Sequence, residues 1–290
     1  MTEIRLARFG DVTAQKQIWR ERFHDPWSYI HSYYKERYRR DETLLLLEDG
    51  VLAAMLTLMP MGLVSAGGKT APTLYLYAIA SADRVKGRGL GTVLLEEAGS
   101  RAARLGVDNI ILVPAERSLH DYFGSHGYEE KFSHRELRFE RPPVRRPVGR
   151  LAPAGAEEYD ALRERLLAGS LHVRCGSDGA LFQKGLSRRS GADLYRLDLD
   201  GFTGCAAAER GPGKLVTVKE LLLPDALLEK GLNLIARELP AAGYRVRVPA
   251  GCGKESDGRD IEFGMIWRYF PEDKKWETFS GSGYLGFGFD

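Results

Sequence analysis

Three features of the sequence predict an α/β (α+β) fold, with a mixed central sheet flanked by helices and a second domain of related plan. A strand, a glycine-rich loop, a helix and a second strand follow one another between Leu74 and Val113. A proline-rich break falls near the middle of the chain, and the order strand, helix, strand returns after it. The 290 residues suffice for two domains of about 150 residues each.

Ile4 to Arg8 reads as a strand, and Thr13 to Arg39 as helical and rich in aromatics, with a break at Pro26. Thr43 to Leu47, turning through Glu48-Asp49-Gly50 into Val51 to Met59, reads as a hairpin, because Asp-Gly accepts positive φ between two apolar runs. Leu74 to Ala80 is the next strand. After the loop Ser81 to Gly89, Leu90, Val93, Leu94, Ala98, Ala102 and Leu105 recur at the spacing of one helix face, and Gly106 supplies the stop. Asn109 to Val113 follows as a strand, so a right-handed crossover should join two parallel strands, with ligands gathering at the loop between strand and helix.

Arg141-Pro142-Pro143-Val144-Arg145-Arg146-Pro147 interrupts any regular element. It divides the chain into a first domain at 1–140, a linker at 141–150 and a second domain at 151–290. In the second, Lys214 to Leu223, Pro224 to Leu239 and Tyr244 to Val248 repeat strand, helix and strand, and Val248-Pro249-Ala250 echoes Val113-Pro114-Ala115.

Composition narrows the function classes. With 43% hydrophobic and 28% charged residues and no apolar run approaching the ~18 residues of a membrane span, the chain reads as an ordinary globular protein. The N-terminal residues lack a secretion signal, so a cytoplasmic location is expected. A net charge of +2 gives no general attraction to nucleic acid or to a membrane surface, so any anion site must be local. Cys175, Cys205 and Cys252 are widely spaced, which predicts plain thiols rather than disulfides or zinc; no metal is expected.

Lys86-Gly87-Arg88-Gly89-Leu90-Gly91-Thr92 is the most informative stretch. Alternate glycines let main-chain N–H groups approach a phosphate, and the helix beginning near Leu90 points its positive end there. A nucleoside-triphosphate loop would need a Gly-Lys-Ser/Thr ending and a dinucleotide fingerprint would need G-x-G-x-x-G; neither is present. The frame Lys86-x-x-Gly89-x-Gly91 instead resembles the pyrophosphate loop of the GNAT superfamily of N-acyltransferases. The frame two residues earlier, from Arg84, leaves the helix starting too late. Tyr77-Ala78-Ile79-Ala80-Ser81 is similar to the family's preceding strand. Val113-Pro114-Ala115-Glu116, Leu119 to Phe123 and Gly127-Tyr128 are similar to its following strand, helix and closing Gly-aromatic step. The resemblance spans Thr2 to Glu140, and the second domain resembles a degenerate copy, with Leu221-Leu222-Leu223-Pro224-Asp225 in place of the glycine-rich turn.

The resemblance implies a sheet of GNAT type and acetyl-coenzyme A as co-substrate, held by Lys86, Gly87, Arg88, Gly89, Leu90, Gly91 and Thr92. Main-chain groups of Ile79 and Ser81 would align the pantetheine and the acetyl carbonyl. The implied reaction moves an acetyl group to a primary amine by direct attack, the amine-bearing acceptor being a small molecule or a protein amine. The family's usual acid, a tyrosine four residues before the glycine of the closing step, falls here on Phe123, which would pack against the pantetheine; Tyr122 beside it is the acid expected if the helix is locally distorted. Some tandem members thread their chain terminus into the first active site, which implies the terminal carboxylate of Asp290 as base, although 290 residues leave no length for the third domain of those proteins. Glu48, Glu116, His120 and His126 are given no catalytic role. Trp19, Phe23, Trp27, Tyr29, Tyr33, Tyr34 and Tyr38 fall on helices that in the family form one wall of the acceptor site, several of them as core. Phe123 also motivates an alternative, a non-catalytic coenzyme-binding regulatory or interaction module. The sequence is compatible with a homo-oligomer.

Overall fold

The computed structural model describes residues 1–140, 148–254, 258–268 and 279–289. Strand β1 (Thr2–Leu6) lies antiparallel to β2 (Thr43–Glu48), which turns into β3 (Val51–Val64). Asp49 and Gly50 both take positive φ at this turn, 49° and 78°, the geometry the Asp-Gly pair was expected to permit. Between β1 and β2 lie α1 (Val12–Phe23) and α2 (Trp27–Glu36), separated where His24 adopts a left-handed conformation and Pro26 stays extended. Strand β3 then pairs along its length with β4 (Thr70–Ser81).

Helix α3 (Leu90–Arg104) carries the crossover to β5 (Asn109–Leu112), which runs parallel to β4. Leu90, Leu94, Leu95, Ala98 and Ala102 are buried, while Val93 and Leu105, read from sequence as part of the same face, are exposed. A step of four residues returns to nearly the same side of a helix, and the row 90, 94, 98, 102 takes the sheet and leaves its flanks to solvent. Helix α4 (Arg117–Gly124) and β6 (Glu129–Glu140) follow.

In the second half, β7 (Arg150–Pro153), α5 (Ala156–Leu167), β8 (His172–Arg174), α6 (Gly176–Arg189), β9 (Leu194–Leu199), β10 (Phe202–Arg210), β11 (Leu215–Leu222), α7 (Asp225–Glu238) and β12 (Gly243–Pro249) repeat the plan, with β11 parallel to β12. Strand β13 (Gly258–Arg268) then enters the first half of the sheet between β5 and β6, antiparallel to both. The sheet runs β1-β2-β3-β4-β5-β13-β6-β12-β11-β10-β9-β7, with β8 paired to β3. Read from either end, five strands of one half meet a strand contributed by the other, because β6 closes against β12 as β13 closes against β5. Trp267 of β13 packs on the back of α3, where a Cβ at Gly99 would lie 3.2 Å from its ring. Residues 141–147, where the sequence places most of the linker, lie outside the described residues.

Candidate active site

Parallel pairing of β4 and β5 covers only Thr73 to Tyr75 against Asn109 to Ile111; β4 runs on to Ser81 while β5 ends at Leu112. The strands therefore part beyond Tyr75. In the same stretch the register of β4 against β3 shifts, Thr57 facing Tyr77 and Met55 facing Ala80, so one extra residue bulges out of β4. Ala78 takes φ 52° there, a conformation that costs a non-glycine residue roughly 1–2 kcal/mol and marks a backbone held by its surroundings. A bulge beside a splayed edge leaves main-chain groups without a ladder partner on that side, and these can serve a ligand.

The glycine-rich loop lies at the far end of β4. Gly87 and Gly89 have φ 80° and 75°, with no atom within 4 Å of where a Cβ would stand, and Lys86 to Gly89 are exposed. Gly89 is the N-cap of α3 and brings no capping side chain, so the first N–H groups of the helix remain available to an anion. Arg88 is not a free cation: its guanidinium meets Glu48 at two points, 2.8 and 2.7 Å.

Between the splayed part of β4 and the second half lies a cavity of about 710 Å³. Tyr77, Ala78 and Ile79 of β4 form part of its wall. Trp19, Phe23 and Tyr29 line it from α1 and α2, Leu119 and Phe123 from α4, Leu186, Arg189 and Ser190 from the end of α6, and Glu209 from β10. Trp19 donates to Asp25 (2.8 Å), and the Tyr29 and Tyr77 hydroxyls share a hydrogen bond of 2.7 Å. Burial pushes the Tyr29 phenol up to about 12, so it stays neutral. Gly288 and Phe289 complete the wall: the Tyr75 hydroxyl donates to the Gly288 carbonyl, and the Phe289 ring sits 5.8 Å from Tyr75 and 5.2 Å from Phe182.

Residues 3–130 match the family model described as the acetyltransferase (GNAT) domain. That match covers the first half of the chain, from β1 into β6. Solved structures share the fold across both halves. A GCN5-related N-acetyltransferase from Anabaena variabilis superposes with a TM-score of 0.73 at 14% identity, over 92% of this chain and 72% of that one. Eis1 from Mycobacterium abscessus gives 0.67 at 14% identity, over 92% and 73%. A putative acetyltransferase from Pyrococcus horikoshii gives 0.61 at 15% identity, over 98% and 94%. No curated protein matches the sequence.

Within this GNAT fold the residues singled out from sequence fall into two groups. Ile79 and Phe123 line the cavity, while Ser81, Lys86, Gly87, Arg88, Gly89, Leu90, Gly91 and Thr92 form the path from the end of β4 through the loop into α3. Tyr122 is turned away from the cavity lining: its hydroxyl is 3.5 Å from Thr92 Oγ1, and a Cβ at Gly91 would lie 3.2 Å from it. Thr92 Oγ1 also meets His126 Nε2 at 2.9 Å, so Tyr122, Thr92 and His126 brace the loop end of α3 against α4. Asp290 lies outside the described residues; Phe289, its neighbour in sequence, is in the cavity wall. Sequence reasoning missed Ala78, whose conformation arises from pairing with β3, and the four residues from α6 and β10, which carry no motif. Among the described residues no group of three or more His, Cys, Asp or Glu side chains is placed to hold a metal ion, and no helix is long and apolar enough to cross a membrane.

Proposed function

We propose that the protein is an acetyl-coenzyme A-dependent N-acyltransferase acting on a primary amine by direct attack, in the cytoplasm. The observation that carries this reading is the opening of β4 from β5 beyond Tyr75, with its bulge at Ala78, onto the cavity walled by Phe123. The loop suits a diphosphate: exposed Lys86 and the amides from Gly87 to Thr92 would hold it, with Arg88 held back by Glu48. Main-chain groups of Ile79 and Ser81 would align the pantetheine and the acetyl carbonyl, as donors fixed in advance of the reaction.

The amine nitrogen attacks the thioester carbonyl carbon; a C–N bond forms, the C–S bond breaks and the coenzyme leaves as thiolate. The amine proton passes to the Asp290 carboxylate, directly or through water. Phe123 has no proton to give, and Tyr122 faces Thr92, so water protonates a thiolate whose conjugate thiol has an ordinary pKa near 8.5. The acceptor is an amine-bearing small molecule or protein amine. Free-thiol release from acetyl-coenzyme A across a panel of amines tests the reading. The apolar Phe123 favours one second reading, a non-catalytic coenzyme-binding module, which predicts tight binding of coenzyme A with no amine-dependent thiol release.

A further inference from the structure

The second half carries its own version of the splayed site, and something occupies it. Strand β11 pairs with β12 from Leu215 to Val218 and then diverges, and its register against β10 jumps between Ala207 and Ala208, so Lys219 is the extra residue. This echoes the bulge and splay of β4. Immediately beyond the bulge, Glu220 is fully buried and accepts hydrogen bonds from the Tyr159 hydroxyl (2.8 Å) and from Arg163 Nε (3.0 and 3.1 Å). Arg163, equally buried, donates on to the Val173 carbonyl of β8 (2.8 Å) and to the Leu285 carbonyl (3.2 Å).

The chain's last described segment runs through this position. The Gly283 carbonyl accepts from Ser133 N of β6 (3.0 Å), and the Tyr284 amide and carbonyl pair with Leu171 and Val173 (2.9 Å each). The Phe287 and Tyr284 rings lie 5.6 and 6.0 Å from the Arg163 guanidinium. Gly286 has φ 82°, and a Cβ there would run into the Glu220 carboxylate and stand 2.6 Å from Arg163 Nη2. Only a residue without a side chain passes the ion pair so closely. Two residues later Gly288 bonds to Tyr75, at the splay of the first half.

We propose that the degenerate site of the second half is the seat of the C-terminal segment, and that Arg163 and Glu220 are positioning residues that thread this segment into the first half's cavity. The pair acts on the acyltransferase site through the segment, so its catalytic consequence rests on the function proposed above. A buried ion pair is a poor source of net stability but a good source of specificity, because any alternative path for the segment strands both charges.

Two variants of the full chain test this. Gly286→Ala pushes the segment off the pair without touching either charge; Arg163→Met with Glu220→Leu removes both charges and leaves neither stranded. Hydrogen exchange at residues 284–287 is expected to quicken at least tenfold in both, with α3 amides unchanged and the affinity for coenzyme A within twofold. Of phenethylamine, spermidine and lysine, whichever gives the fastest thiol release should show kcat reduced about tenfold with the KM for acetyl-coenzyme A unaltered, while the number of coenzyme A sites per chain by titration stays the same, so that a smaller folded fraction is not the cause. Unchanged exchange at 284–287 in Gly286→Ala overturns the seat, even if the double variant unfolds. Faster exchange with unchanged kcat overturns the positioning role. Failure of the unaltered protein to bind coenzyme A would instead sink the acyltransferase reading and leave the exchange result intact.

Discussion

Tyr75 on β4 donates its buried hydroxyl proton to the main-chain carbonyl of Gly288, 213 positions away in sequence, and so ties the end of the chain to the point where the central strands separate. Replacing Tyr75 with Phe leaves that carbonyl unpaired in an apolar setting. An orphaned buried acceptor costs about 1–3 kcal/mol, and a protein of this size loses roughly 2–4 °C of Tm per kcal/mol. Calorimetric melting should show a drop of a few degrees, and isothermal titration should show unchanged affinity for coenzyme A.

Gly89 stands in the left-handed region with open space around it, so Gly89→Ala meets no atom and acts through its backbone alone. The left-handed conformation costs an alanine roughly 1–2 kcal/mol, and relaxing it rotates the amides of the loop. Coenzyme A affinity is expected to fall about tenfold, equivalent to ~1.4 kcal/mol, with the far-ultraviolet spectrum unchanged. An unchanged binding isotherm would refute the loop as the phosphate site.

Arg88 and Lys86 differ in availability, since only Arg88 is engaged by Glu48. Lys86→Ala should therefore weaken coenzyme A more than Arg88→Ala does. Glu48→Gln should strengthen binding a few-fold at low salt, because it releases the guanidinium and removes a negative charge from beside the loop. An exposed ion pair holds its partners by only ~0.2–1 kcal/mol, so the gain should vanish in high salt.

Phe123→Tyr would place a hydroxyl in the cavity wall where the family's acid is expected. Below the thiol pKa of about 8.5 a departing thiolate gains from a proton donor, and above it the gain disappears. Turnover should rise several-fold near pH 7 and converge with the unaltered protein by pH 9. A pH–rate profile lying parallel to the original across this range would place the coenzyme sulfur away from Phe123.

The buried tyrosines at and beside the cavity set an alkaline limit. Burial raises the Tyr29 phenol to about 12, from about 10 in the unfolded chain, and raises Tyr33 and Tyr77 as well. A raised folded pKa means that the stability contributed by the neutral phenol is complete below pH 10 and is lost as pH climbs from 10 through 12. Tm should hold to pH 9.5 on this account and fall steeply above 10, with tyrosinate absorbance at 295 nm appearing together with unfolding.

Much of the fold was legible in the residues alone. Steps of three and four from Leu90 to Ala102, the Asp49-Gly50 turn, the break at Pro26 and the alternate glycines from Gly87 to Gly91 are local signals, because helix period, turn conformation and backbone freedom are properties of a few neighbouring residues. The mismatch of Phe123 with the family's usual acid was likewise readable by counting back from Gly127. Tertiary pairing decided the rest. Ala78 bulges because β4 must fit β3 and also part from β5, Tyr122 meets Thr92 because the fold sets its hydroxyl beside the first turn of α3, and β13 enters between β5 and β6 because an edge left open in one half is closed by a strand from the other. Such contacts depend on which surfaces remain unpaired after the local elements form, and no short stretch of sequence carries that information.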